Sequence, residues 1–238
     1  MSSLFERTEI IAGKGGIEKL KSANILIAGL GGVGSFAAEA IARMGIGQIT
    51  IVDHDVVSGS NLNRQLVALS STIGESKVSV MQKRILDINS DCNLIAKNLF
   101  LREDTIEKLL AENNFDYIID AIDSIGCKVS LLKVAYYNKH KIISSMGAGN
   151  KLDPTKVHIA DIHKTYACPL AKFLRKRLKE VGIRKGIKTV FSSELPSKPL
   201  PPEPVLFGRD RAVNGTVSYM PAIFGLTIAG FIIKNLLK

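Results

Sequence analysis

From residue 24 onward the chain alternates short, continuous apolar runs with longer stretches in which apolar residues recur every three or four positions. The runs 25–29 (ILIAG), 48–53 (QITIVD), 94–100, 117–120 and 141–145 are short and rich in Ile and Val. Such runs predict strands buried on both faces. Between them, 33–44, 77–89, 105–112 and 129–138 carry helical periodicity. The alternation predicts an α/β fold: a doubly wound, Rossmann-like, mainly parallel sheet covered by helices on both sides.

Past residue 149 the pattern loosens. Residues 156–161 read as a strand, 169–181 as a helix opening on Pro169, and 190–193 as a short apolar piece. Pro196, Pro199, Pro201, Pro202 and Pro204 then crowd together, which excludes helix and central strand, so 196–211 is expected to be an exposed, mobile loop. The greasy segment 219–233 is short of the ~20 residues that span a bilayer and is interrupted by Pro221, Gly225 and Gly230. It is read as a closing helix buried in the core, with membrane association as the less favoured alternative. No linker separates 1–150 from 151–238, so one domain is expected, a nucleotide-binding half followed by a substrate-facing elaboration.

Composition narrows the class. Of 238 residues 46% are hydrophobic and 23% charged, the profile of a globular chain rather than a disordered one. Cys92, Cys127 and Cys168 are widely spaced and form no CxxC pair, which excludes a disulfide scaffold and fits a reducing cytoplasm. The opening MSSLFERTEI has no apolar stretch of the secretory kind. The formal net charge of +10 favours a polyanionic partner.

Gly29-Leu30-Gly31-Gly32-Val33-Gly34 lies between the first strand and the first helix of the alternation. Glycines there permit a tight turn and let a phosphate approach the backbone, and the helix start offers it free N–H groups. Asp53, ending the second strand, suits the hydroxyls of a ribose. These residues alone would also admit NAD. The following stretch argues for a triphosphate instead: Asn61, Arg64 and Gln65, then Lys77, put amides and cations where a nicotinamide would need an apolar cleft. Asp123, just past the strand 117–120, falls at the same carboxyl edge and suits Mg²⁺.

The segments GLGGVGS, DHDVVSGSNLNRQ, GESK and DAIDS resemble the adenylating superfamily that includes the ubiquitin-activating enzymes and the molybdopterin-synthase and thiamine-biosynthesis adenylyltransferases. Within it, FERTE, MGAGNKLDPT and VFSSE resemble the family of dehydratases that act on threonylcarbamoyladenosine in tRNA. The resemblance covers nearly the whole chain. It implies that Gly29, Gly31, Gly32 and Gly34 lie against the phosphates of ATP with Asp53 on the ribose. Asn61, Arg64 and Lys77 would contact the triphosphate, Gln65 would support Arg64, and Asp123 would take Mg²⁺. It also implies that Arg7 enters the ATP site of a second copy, so that the working unit is a homodimer with Arg7, Arg64, Lys77 and Asp123 as its catalytic set. The implied reaction is ATP-dependent cyclisation of threonylcarbamoyladenosine at position 37 of tRNA. Relatives that serve sulfur transfer carry two CxxC pairs for zinc; this chain has none, so structural zinc is not expected.

Two alternatives remain at this point. One is activation of the C-terminal carboxylate of a small sulfur-carrier or ubiquitin-like protein, with a sulfur-transfer or acceptor protein as partner and Cys168 as the candidate thiol. The other is an NAD-binding oxidoreductase. For the tRNA reading, the basic run Lys172, Arg175, Lys176, Arg177, Lys179, Arg184, Lys185 and Lys188 is the candidate track for a phosphate backbone, with Arg209 and Arg211 beyond it. His54, His140, His158 and His163 show no metal spacing.

Overall fold

The structure, a computed structural model, describes residues 4–198, 200–203 and 211–238, and of 200–203 and 211–213 the backbone only. Seven strands form one sheet in the order β3-β2-β1-β4-β5-β7-β6, the doubly wound arrangement expected. The strands are β1 (Asn24–Ala28), β2 (Gln48–Asp53), β3 (Asn93–Asn98), β4 (Tyr117–Asp120), β5 (Ile142–Ser145), β6 (Val157–Asp161) and β7 (Lys188–Ser192). All neighbours pair in parallel except β6, which closes one edge antiparallel to β7. The helices are α1 (Glu6–Ser22), α2 (Gly34–Arg43), α3 (Lys77–Ile88), α4 (Glu103–Ala111), α5 (Ile125–Tyr137), α6 (Pro169–Glu180) and α7 (Tyr219–Leu236).

Successive residues of β1 feed opposite cores, as a pleated strand requires. Ile25 and Ile27 pack under α1, α2, α3 and α7, whereas Leu26 and Ala28 pack under α4, α5 and α6. The closing helix belongs to the first core. Met220, Phe224, Ile228 and Ile232 of α7 form a buried stripe, and Gly225 lets its backbone meet α2, since a Cβ there would lie 2.3 Å from the Val33 carbonyl oxygen. By length and composition α7 is the one described helix that could cross a membrane, but its buried face is part of the core.

Two features differ from the sequence reading. Residues 6–22, given no element bounds there, form α1, which breaks at Gly13 in the left-handed region (φ 68°). The break folds the helix back so that the Lys21 ammonium lies 4.8 Å from the Phe5 ring centroid. The second difference is in the proline-rich stretch, expected to be loop throughout. Leu200–Glu203 (β8) and Arg211–Val213 (β9) pair there as an antiparallel ribbon with a bulge between Leu200 and Pro202. A two-stranded ribbon has only edges, which is where Pro is tolerated in strands. Residues 199 and 204–210, with Arg209, lie outside the described residues.

Candidate functional site

The site is assembled at the carboxyl edge of the sheet, where β1, β2, β4 and β5 end. Gly29 turns out of β1 at φ 93°, and a Cβ on it would lie 2.7 Å from the Ala121 carbonyl oxygen. The glycine turn and the end of β4 are therefore in backbone contact. A Cβ on Gly34 would lie 1.8 Å from the Gly29 carbonyl oxygen, and one on Gly32 would lie 2.9 Å from Pro221 Cβ of α7. Only Gly31 of the four is free of a close clash: a Cβ there would be in ordinary contact with the Gln65 amide nitrogen at 3.8 Å. The first turn of α2 has no side-chain cap: Ser35 N donates to the Gly31 carbonyl at 3.0 Å, and the positive dipole end of the helix is left without a side-chain partner.

Asp53 is buried and holds the turn: one carboxylate oxygen accepts from Leu30 N (2.6 Å), the other from Asp55 N (2.8 Å). A ribose would have to share these oxygens. Asn61 is also buried and committed, accepting from Ser58 N at 3.2 Å in the 3-10 turn Gly59–Asn61. Its role here is to shape the loop that carries Arg64. Arg64 donates to the carbonyl of Ser60 (2.7 Å) and to Asn63 Oδ1 (2.9 Å) and has no carboxylate partner among the described residues. Gln65 is buried with its Oε1 unpartnered among the described residues. The Lys77 ammonium, at the start of α3, meets Asp55 at 2.8 Å. Asp55 is thus the ion-pair partner of Lys77.

Asp123 is exposed, three residues past the buried end of β4, and has no ion pair among the described residues. The group that fixes this loop was missed in the sequence. Asp120 and Lys128 are both 0% exposed and pair at 2.9 Å. Ser144 Oγ donates to Asp120 at 2.6 Å, Ile122 N donates to it at 3.2 Å, and the Lys128 ammonium donates to the Ile122 carbonyl at 3.0 Å. One buried ion pair thereby clamps both backbone groups of Ile122, between the wall of the glycine turn and Asp123. A signal was available: Lys128, Leu131, Leu132 and Ala135 stand at helical i, i+3, i+4, i+7 spacing, so Lys128 lies on the apolar stripe of α5.

Beyond β5 a second set of long-range contacts builds a rim. Asn150, in the left-handed region (φ 58°), donates from Nδ2 to Asn214 Oδ1 and accepts from Gly215 N, while its own N–H donates to the Gly215 carbonyl. The buried Lys151 ammonium donates to the carbonyls of Ala167 (3.3 Å), Ser192 (3.1 Å) and Glu194. Burial pulls its pKa down, and nearby Cys168 and Glu194 oppose that pull. Cys168 is itself buried, its sulfur accepting from Ala171 N at the start of α6, which is the position of a helix cap rather than of an exposed nucleophile.

Arg7 is exposed and is not brought to this site within one chain. Phe5, two residues before Arg7, packs on Gly45, at the far end of the ten-residue α2 and roughly 15 Å from the glycine turn. The basic run is divided. Lys172, Lys176, Arg177 and Lys179 are exposed on α6, and Arg184 and Lys185 follow it. Lys188 starts β7 at the opposite, amino edge of the sheet. Arg175 differs from its neighbours on α6: half-buried, it donates from one guanidinium nitrogen to the carbonyl and the hydroxyl of Thr165, because it flanks the buried stripe Ala171, Leu174 and Leu178.

A doubly wound, mainly parallel sheet with a glycine turn leading into α2, and with Arg64 and Lys77 on the segments after β2, is the frame of an ATP-dependent adenylating enzyme. The chain belongs to the ThiF family, whose model matches residues 5–238. It is similar to the tRNA threonylcarbamoyladenosine dehydratase of Bacillus subtilis, 42% identical over 98% of this chain and 94% of the relative. The crystal structure of E. coli tRNA N6-threonylcarbamoyladenosine dehydratase in complex with ATP superposes with a TM-score of 0.87 at 34% identity, covering 98% of this chain and 93% of that one. A molybdopterin-synthase adenylyltransferase of Salmonella typhimurium, by contrast, is 34% identical over 54% of this chain.

Proposed function

We propose that the chain is an ATP-dependent tRNA threonylcarbamoyladenosine dehydratase. The observation that carries this reading is the full-length likeness to the dehydratases, against a likeness to the sulfur-carrier adenylyltransferase over about half the chain. The substrate carboxylate is inert because its leaving group would be oxide. It attacks the α-phosphorus of ATP, releasing pyrophosphate and forming a mixed anhydride. An atom already on the same side chain then attacks the carbonyl carbon, the ring closes, and AMP leaves with the former carboxylate oxygen. No enzyme nucleophile is needed, which accords with the buried, capping Cys168.

In this reading the glycine turn and the first turn of α2 receive phosphate oxygens. Arg64 stabilises charge on the triphosphate. Lys77 does so too, exchanging or sharing its contact with Asp55. The unpartnered Gln65 Oε1, beside Gly31, fits a ligand that offers a hydrogen-bond donor at this turn. Asp123 would hold Mg²⁺, whose chemistry is to neutralise charge on the α-phosphate and pyrophosphate. Ring closure is intramolecular, so the protein's task is to hold the side chain folded and dry.

Arg7 acts in the partner's site. In support, it lies on the far side of its own α2, beside Ile10 and Ile11, which are 77% and 88% exposed. Two adjacent Ile side chains so exposed are the kind of surface a second copy covers. The exposed cations of α6 follow tRNA phosphates, each contact adding roughly 0.7–0.9 to the salt slope of binding.

The test is to incubate the purified chain with ATP, Mg²⁺ and tRNA bearing threonylcarbamoyladenosine, and to weigh the released nucleosides. Loss of one water with release of AMP is expected. An unchanged nucleoside mass with ATP bound would reject the substrate.

A further inference from the structure

We infer that the rim formed by residues 150–152, 194–195 and 214–219 seats the acceptor adenine, stacked on the exposed face of Tyr219. The inference rests on the dehydratase reading and names the substrate-binding surface that the nucleotide site by itself lacks. The chemistry sets a distance. From the exocyclic nitrogen of the modified adenine to its carboxylate carbon the covalent path is only about 5 Å long when extended. The base must therefore sit beside the phosphate that its carboxylate attacks, at the border of the glycine turn.

Tyr219 meets this condition on two sides. It opens α7 two residues before Pro221, whose Cβ lies 2.9 Å from the place a Cβ on Gly32 would take. The segment leading to it is tied to the cationic loop, because Asn63 Nδ2, next to Arg64, donates to the Thr216 carbonyl at 2.9 Å. The same segment is latched to β5's exit loop through Asn150.

The surface is also of the right kind. Tyr219 is 42% exposed, Leu152 56% and Leu195 80%, three large apolar groups in a border whose two charged members, Glu194 and the buried Lys151, are bonded to backbone. Glu194, which precedes Leu195, ties that segment to Leu152, its carboxylate accepting from Leu152 N and Asp153 N. Tyr219 Oη donates to the Leu152 carbonyl at 2.8 Å, which holds the ring in place before anything binds. A fixed, half-exposed aromatic face beside aliphatic groups is a stacking platform for a nucleobase, and its ordering cost is already met.

The experiment compares Tyr219→Ala, Tyr219→Phe and Leu152→Ser with the unaltered chain. It measures ATP affinity by titration, KM for tRNA bearing threonylcarbamoyladenosine, and the ratio of affinities for modified and unmodified tRNA. Tyr219→Ala is expected to raise KM about ten- to a hundred-fold and bring the ratio close to one, with ATP affinity as in the unaltered chain. Tyr219→Phe keeps the ring and should stay within a few-fold, and Leu152→Ser should fall between. If Tyr219→Ala does not fold, Leu152→Ser carries the test, since its side chain is on the surface. Unaltered KM and ratio in Tyr219→Ala and Leu152→Ser overturn the inference, as does a loss confined to binding of a carrier protein. A failure of the unaltered chain to dehydrate the modified tRNA would instead overturn the reading beneath it.

Discussion

Replacing Lys128 by Met removes one half of an ion pair that is wholly inside the protein. The aliphatic stem keeps most of its volume, so the cost is chiefly electrostatic. Asp120 would retain Ser144 Oγ and Ile122 N as donors but lose its counter-charge, and the Ile122 carbonyl would lose its donor. Breaking a buried pair from one side costs about 3–5 kcal/mol, because an unpaired charge is left in low dielectric. For a chain of this size each kcal/mol moves the melting temperature by roughly 2–4 °C, so a fall of about 6–20 °C is expected. The assay is thermal unfolding by circular dichroism, completed as a double-mutant cycle with Asp120→Leu. The paired variant should recover much of the loss, since an apolar replacement of both partners leaves no stranded charge. Amide exchange at Ile122 should accelerate in Lys128→Met, which reports the clamp directly. A fall of under about 2 °C, or a cycle whose two single effects simply add, would refute the argument that this pair fixes the β4–α5 loop.

Mixing Arg7→Ala chains with Lys77→Ala chains, each inactive alone, should restore up to about a quarter of wild-type turnover, because one site of a mixed dimer then has both groups intact. No restoration would place Arg7 in its own chain's site or outside the mechanism. On α2, burial alone would raise the Glu39 carboxyl, but Arg84 and Arg43 together hold it below the ordinary carboxylate range. Its contribution is therefore complete above the ordinary pKa of about 4.3 and lost as pH falls through the lower folded value. Urea midpoints of the wild type and of Glu39→Gln should accordingly run parallel from about pH 8 to 5 and begin to converge once the pH falls below the ordinary glutamate value of about 4.3. Burial pushes the Cys92 thiol up to about 11, so native protein at pH 8 should leave Cys92 unalkylated while half-buried Cys127 reacts, as read by peptide mass. Cys168→Ser should keep dehydratase turnover, and its loss would revive a thioester route.

The parts of the molecule legible in the sequence are those whose causes are local. A strand of Ile and Val, a turn in which glycine is demanded by contacts of 1.8 to 2.9 Å, and a cation-bearing loop each leave their mark within a few consecutive residues. The fold of the first 150 residues followed from that spacing. The proline-rich stretch was misread because a two-stranded ribbon escapes the rule that keeps proline out of central strands. The environment of Arg175 was not legible either: a run of cations looks uniform as text, whereas α6 turns one of them toward Thr165.

What stayed hidden is the second half of the site, which is held by pairs far apart in the chain. Asn150 meets Gly215, Tyr219 meets Leu152, and Lys151 meets Glu194, at separations of 43 to 67 residues. The polar groups of Asn150 and Lys151 are spent on backbone and on one another's neighbours rather than on a ligand, which is why no motif advertises them. Their effect is to bring the start of α7 against the glycine turn. A nucleotide pocket of local origin thus acquires an acceptor wall of non-local origin. On the proposed reading the turn and its cations fix where the anhydride forms, and the rim selects a carboxylate held on a short path from a flat base.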